Sequence, residues 1–112
     1  MKEGITWNDF SKIDMRVGTI IAVDEFPEAR NPSYKLKIQF GDEIGIKKSS
    51  AQITQNYKKE ELVGMQVIAV INFPKKQIAN FMSECLILGA VDNGSVILVQ
   101  PHLAVPNGLK IS

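Results

Sequence analysis

One histidine and one cysteine give this chain little material for a metal cluster, a Cys–His nucleophilic pair or an internal disulfide. His102 stands alone between prolines in the tail. Cys85 precedes Leu86-Ile87-Leu88, and in an apolar run a thiol behaves as a small hydrophobe. Neither G-x-x-x-x-G-K-[ST] nor G-x-G-x-x-G occurs, so nucleoside triphosphates and dinucleotides have no recognisable cradle. No catalytic constellation, metal site or cofactor motif stands out, and the chain reads as a non-enzyme. No apolar run approaches the ~18 residues of a membrane span, and MKEGITWNDF lacks the apolar core of a secretory signal. A lone cysteine fits a reducing compartment, and the expectation is a soluble cytoplasmic protein without membrane insertion. Charge of one sign is missing too: 13 basic and 12 acidic side chains leave a net charge of +1. A polyanion would have to be held by a local basic patch, since the field of the whole molecule is weak.

What remains is ordinary globular material, 112 residues with 45% hydrophobic content, enough for one core and a single domain over residues 1–112. The organising stretch is VIAVINFPKKQIANFMSECLILGA, Val67 to Ala90. Its two ends, VIAVIN and ECLILGA, are short, punctuated apolar runs that read as buried strands. Pro74 breaks the first, placing Lys75 and Lys76 on an exposed tip, with Phe81 and Met82 just before Ser83. Large apolar groups beside a cationic tip fit either a binding surface or a loop folded over its own core.

In chain order, Thr6 and Asp9 are spaced as a capping box for one helical turn over residues 5–11, with Trp7 and Phe10 as i, i+3 neighbours. That turn is either a plug over a barrel end or a source of exposed aromatics. Alternation then predicts a strand with Ile13, Met15, Val17, Ile21 and Val23 inward, and Gly18 marks a bulge or bend. Asp14 and Arg16 share the other face as a structural ion pair. After the irregular FPEARNPS, YKLKIQF alternates with Tyr34, Leu36, Ile38 and Phe40 on one face and Lys35, Lys37 and Gln39 on the other. The return strand IGIKKSS is expected to put Ile44 and Ile46 inward and Lys47 outward, so Lys35, Lys37 and Lys47 share an exposed face with Lys48 nearby. Residues 54–64 read as a short helix capped by Thr54 or Asn56, with Leu62 inward and Gly64 ending it. Asp92-Asn93-Gly94 has hairpin-turn chemistry, and the tail leaves Leu103, Val105, Leu109 and Ile111 needing cover in this barrel or a partner subunit.

Five strands with a short helix between the third and fourth is the layout of an all-β OB-fold, a partly open five-stranded Greek-key barrel with short helices. Strands two and three of that fold commonly face oligonucleotides, and the lysines fall there. FSKIDMRVGTI, FPEARNPSYKLKIQFG, EIGIKKSSAQITQNYKKEELVG and VIAVINFPKKQIANFMSECLILG together resemble the tRNA-binding OB-domain family, within it most nearly an export-related chaperone branch. The resemblance covers the chain from about Trp7 onward. It implies an OB-fold homodimer linked both to tRNA and to unfolded preproteins in secretion. tRNA-binding members usually carry Ser-x-Gly-Met at the start of the last central strand; here the residues are Ser83, Glu84, Cys85 and Leu86. A side chain where glycine is usual narrows close backbone approach by a ligand.

Two functions follow as expectations. One is a passive, ATP-independent chaperone, a homodimer holding unfolded preproteins or peptides through Trp7, Phe10, Phe73, Phe81 and Met82, since aromatics and Met favour adaptable surfaces. The other is an RNA-binding module, either alongside that role or as a free-standing tRNA-binding protein. It would use Lys35, Lys37, Lys47, Lys48, Lys75 and Lys76 on phosphates, and Ser49, Ser50, Gln52, Asn72 and Ser83 as hydrogen-bonding groups. A structural dimer with no ligand of its own is the third possibility.

Overall fold

Alternation at Tyr34, Leu36, Ile38 and Phe40 builds the wall against which the barrel closes. These side chains leave one face of strand β2 (Tyr34–Gln39) and its end, and all four are buried. The computed structural model describes all 112 residues. Around β2 stand β1 (Met15–Glu25), β3 (Ile46–Ala51), β4 (Gln66–Val70) and β7 (Leu86–Ile87), antiparallel in the order β3-β2-β1-β4-β7. With helix α2 (Lys59–Leu62) between β3 and β4, this is the OB-fold, a nearly closed five-stranded barrel. Ile20, Leu62, Val67, Ala69, Cys85 and Leu98 join the wall in one core cluster.

Of the expected inward set of β1, Val17 is buried beside the tail and Val23 packs against the core cluster, but the phase fails around Gly18 to Ile21. Gly18 and Ile20 face the barrel, while Ile21 is exposed. The bulge falls between Ile20 and Ala22, where the register against β2 slips, and not at Gly18. Gly18 serves close approach instead: a Cβ there would stand 2.6 Å from Ile38 Cγ2 and 2.8 Å from the Phe40 ring. The first half of β1 pairs with β4 and the second half with β2. Alongside the first half lies the tail, where Gly108 N–H donates to Val17 C=O at 2.7 Å and Ile111 N–H to Met15 C=O at 2.9 Å. Arg16 Nε donates to Asp14 Oδ1 at 2.6 Å, the expected pair, and its Nη1 also donates to Gly108 C=O. The barrel does not cover the tail completely, because Leu103 remains 71% and Leu109 47% exposed.

Between β4 and β7 the chain forms a hairpin, β5 (Lys76–Ile78) with β6 (Phe81–Ser83), where a simple loop was expected. Its turn is Ala79-Asn80, so Lys75 and Lys76 stand at its base and not at a tip. A second hairpin joins β8 (Gly89–Asp92) and β9 (Ser95–Leu98) through Asn93 and Gly94, both at positive φ, as the Asp-Asn-Gly sequence predicts. Helix α2 is shorter than its sequence signals: Lys58 is its cap in place of Thr54 or Asn56, and the Glu61 carboxylate accepts from Lys58 N–H. Leu62 is buried and Gly64 has φ +92° as expected. Helix α1 (Trp7–Ser11) forms its Thr6–Asp9 capping box, but none of its residues is buried, so it is no barrel plug.

Gly18→Val should cost about 1–3 kcal/mol, because the added methyls meet two packed core side chains. Thermal unfolding checks this, with Gly4→Val as the control, since nothing lies within 4 Å of its added Cβ.

Candidate functional site

The register of β3 decides which lysines share a face. Directly opposed residues of an antiparallel pair point the same way. Lys48 lies across from Lys37, and Ser50 from Lys35, so these four form the outer face of the β2–β3 hairpin. Lys47 lies across from Ile38 and Ser49 from Leu36, on the barrel side. The expectation that Lys47 stands outward and Ile46 inward is therefore reversed, and Ile46 is exposed. The segment Ile46–Ala51 carries apolar residues only at its two ends, five positions apart and hence on opposite faces, so alternation had nothing to fix its phase. Ser49 is buried, donating to Cys85 C=O at 3.1 Å, which removes it from any RNA-binding set.

Two phenylalanine rings support this cationic face. Lys35 Nζ lies 5.5 Å from the centroid of Phe26, and Lys48 Nζ 5.3 Å from that of Phe81. The two rings meet edge to face at 5.4 Å. Each cation–π contact is worth roughly 0.5–1 kcal/mol at an exposed site, enough to orient a lysine without neutralising it. The ion pairs are Arg16–Asp14, Lys59–Glu25 and Lys75–Glu84, so Lys35, Lys37 and Lys48 have no carboxylate partner. Phe26 is the residue that sequence reasoning missed. It opens the irregular FPEARNPS loop, and an aromatic at a strand end just before proline was the available signal. Phe81 and Met82 are half-buried, so Phe81 supports Lys48 and is not a free anchor.

Side chains finish the exposed edge of β3. Lys48 N–H donates to Glu84 Oε1 at 2.9 Å, Glu84 N–H to Lys48 C=O at 2.8 Å, and Ser50 N–H to Ser83 Oγ at 3.3 Å. Ser83 and Glu84 thus clasp the β5–β6 hairpin over β3, and Glu84 Oε2 holds Lys75 Nζ at 3.7 Å. Beyond the clasp the barrel stays open in a groove of about 890 Å³. Its lining brings together Ser50, Gln52, Phe73, Lys75, Lys76 and Ser83 from both expected sets, over a floor that includes Ile53, Ile87 and Leu98. Trp7, 85% exposed, and Phe10 lie on α1 outside this groove, with ring centroids 6.3 Å apart. Asn72 is structural: its side chain accepts from Asp14 N–H and donates to Lys12 C=O, fixing α1 to the start of β1.

The pattern of the tRNA binding domain family matches residues 15–110. The chain belongs to that family. Its fold superimposes on the crystal structure of chaperone CsaA from Bacillus anthracis with a TM-score of 0.93, at 50% identity over 98% of this chain and 100% of that one. Against CsaA chaperone protein from Picrophilus torridus the TM-score is 0.91, at 59% identity over 97% and 100%. It is also 36% identical to methionine–tRNA ligase of Nanoarchaeum equitans over 96% of this chain, but spans only 13% of that ligase's length. No helix here is long and apolar enough to cross a membrane.

Within this family member, the departure at Cys85 acts inward. Its side chain is buried in the core cluster, and burial pushes the thiol up to about 12. The thiol therefore fills core volume and does not stand between the backbone and a ligand. Cys85 should resist Ellman's reagent at pH 8 in the folded protein and react promptly in denaturant. A folded pKa above the unfolded value of about 8.5 means that only the unfolded state loses this proton first as pH rises. The thiol's contribution is therefore intact below pH 8.5 and declines between there and pH 12. Cys85→Ala should flatten that decline in denaturant titrations at successive pH values.

Proposed function

We propose that this protein is an ATP-independent, export-related chaperone of the CsaA type. It works as a cytoplasmic homodimer that holds unfolded preprotein segments and binds tRNA or other RNA without catalytic turnover. The observation that carries the reading is the open groove beside the β5–β6 hairpin, with nine apolar residues among its sixteen and a lysine rim. Phe73, 55% exposed at this groove, is a free apolar contact for a client. The chain's similarity to CsaA chaperones over nearly its whole length supports the same reading. A second reading, a free-standing tRNA-binding protein without a chaperone role, is favoured by the unpaired Lys35, Lys37 and Lys48 face and by membership of the family.

Suppression of client aggregation without nucleotide tests the first reading, and Phe73→Ser should weaken client binding roughly tenfold or more, as loss of an aromatic anchor does. Lys37→Glu should instead lower RNA affinity, by a factor that shrinks as salt is raised. With Lys47 turned to the barrel side and Lys75 paired, three or four lysine contacts remain. The slope of log affinity against log salt for single-stranded RNA should then be about −2 to −3, at ~0.7 per contact. Protein that binds RNA but leaves client aggregation unchanged would reduce the function to the second reading.

The homodimer has its support in Leu103, Leu109 and Val91, large apolar residues left exposed by one subunit. Sedimentation at micromolar concentration should give twice the 12.4 kDa chain mass, and deletion of residues 103–112 should shift the protein toward monomer or aggregate. A single species at the monomer mass would remove the dimer from the proposal.

A further inference from the structure

We infer that Asn93 is a site of covalent self-modification: its side-chain amide is lost to the Gly94 backbone nitrogen, and the β-linked aspartyl residue that forms slackens the β8–β9 hairpin. The chain carries two Asn-Gly pairs, Asn93-Gly94 and Asn107-Gly108, and the fold treats them oppositely. In such a pair the main-chain nitrogen of the second residue attacks the side-chain carbonyl carbon of the first. Glycine permits this because no Cβ crowds its nitrogen. The other asparagines are followed by Asp9, Pro32, Tyr57, Phe73 and Phe81, whose side chains or, in proline, ring crowd that nitrogen. At Asn107-Gly108 the reacting groups are held. Asn107 Oδ1 accepts from Thr19 Oγ1 at 2.8 Å and from Gln66 Nε2 at 3.1 Å, and Gly108 N–H donates to Val17 C=O at 2.7 Å. At Asn93-Gly94 they are free. Both residues are exposed, neither the Asn93 side chain nor Gly94 N–H has a hydrogen-bond partner within the protein, and nothing lies within 4 Å of a Cβ added at Gly94. The turn ends a hairpin of two four-residue strands, and such an end opens locally without disturbing the barrel.

The step balances with water as its one co-reactant. A bond forms between Gly94 N and Asn93 Cγ, the Cγ–Nδ2 bond breaks, and ammonia leaves with the proton of the attacking nitrogen. Water then opens the five-membered ring. Cleavage at Cγ gives aspartate. Cleavage at the main-chain carbonyl leaves the chain running through Cβ and Cγ, with a free α-carboxylate, the group on which an isoaspartyl O-methyltransferase acts. Either product places a carboxylate beside Asp92 and takes the net charge from +1 to zero. The β-linked product also lengthens the turn by one backbone carbon. A two-residue turn with Asn93 and Gly94 at positive φ matches the twist of its strands, and the added carbon removes that match. Strand β9 carries Val96 and Leu98 to the groove, where Asn56 Nδ2 donates to Val96 C=O and Leu98 N–H to Tyr57 Oη. Slackening therefore enters at the turn-closing pair Asp92 and Ser95 and runs toward these two bonds.

Incubation of the full-length protein at pH 8, below its unfolding transition, followed by peptide mapping tests the site. Asn93 should convert mainly to the β-linked form, reported by methyl transfer from S-adenosylmethionine by an isoaspartyl methyltransferase. Asn107 should convert roughly tenfold or more slowly, because three net-favourable hydrogen bonds must open first. In denaturant the two sites should react at similar rates. Equal rates in the folded protein, faster loss at Asn107, or a difference that survives in denaturant overturns the inference. So does protection of Asn93 that vanishes on dilution, which would place the turn in a subunit interface. Hydrogen exchange at the Asp92 and Ser95 amides should quicken in the β-linked fraction and not in Asn93→Asp, which has the same charge with a normal linkage. Exchange unchanged in the β-linked fraction, or equally quick in Asn93→Asp, overturns the slackening.

Discussion

The rest of the molecule depends on how β3 meets the last central strand. An OB barrel closed by a full ladder would satisfy that edge with backbone groups alone. Here two side chains supply the acceptors, Ser83 for Ser50 N–H and Glu84 for Lys48 N–H, and only one backbone bond, Glu84 N–H to Lys48 C=O, crosses the seam. Ser49 adds a buried bond to Cys85 C=O from the inside. A side-chain clasp is local, so closure ends where Ser83 and Glu84 end. The β5–β6 hairpin is fixed over β3, Phe81 is brought beneath Lys48, and the barrel beyond is left as a groove.

The electrostatics follow from the same arrangement. A chain of net charge +1 presents usable positive charge only if its carboxylates are kept from its lysines. Glu84 is committed to a backbone donor and to Lys75, and Glu25 to Lys59. Lys35 and Lys48 rest on aromatic rings instead, which orient a cation and leave its charge available. Phe81 belongs to the hairpin and Lys48 to β3, so any displacement of the hairpin withdraws the ring from under the lysine. The cationic face and the apolar groove are joined through that contact, through Phe81 against Phe26, and through the Ser83–Glu84 clasp.

Where alternating side chains differ sharply in polarity, the sequence reads directly into structure. Tyr34-Lys35-Leu36-Lys37-Ile38 sets its own phase, and the capping box at Thr6 and Asp9 and the Asp92-Asn93-Gly94 turn carry their geometry in three or four residues. Reading fails where polarity is uniform or the ladder slips. Lys47-Lys48-Ser49-Ser50 offers no apolar residue to choose a face, and burial of Ser49 depends on an acceptor 36 residues away. The slip at Ile21 breaks the single alternation read for β1, because one inserted residue exchanges the two faces: Ile20 is inward before it and Val23 after it. The β5–β6 hairpin is three residues per strand after a proline, too short to show a period. The expected aromatic site divides for a related reason: exposure of Phe73 and Trp7, against half-burial of Phe81, is set by what packs beside each ring and not by residue type.

On the proposed reading, affinity for two unlike polymers needs no second domain. RNA phosphates call for cations not committed to ion pairs, which the phenylalanine-supported Lys35 and Lys48 provide. An unfolded polypeptide calls for apolar cover, which the groove beyond the Ser83–Glu84 clasp provides. The two demands fall mainly on different residues, Lys35, Lys37 and Lys48 for phosphates and Phe73 with the groove floor for apolar segments, while Ser50 and Lys76 stand where the two surfaces adjoin. They meet at Ser50 of β3 and at the hairpin, whose β6 carries the ring under Lys48 while β5 and its base form one wall of the groove. Coupling between RNA and client is therefore set by how far the hairpin moves when the groove fills. The Ser83–Glu84 clasp, by resisting that motion, limits the coupling and lets a 112-residue chain keep both surfaces in place.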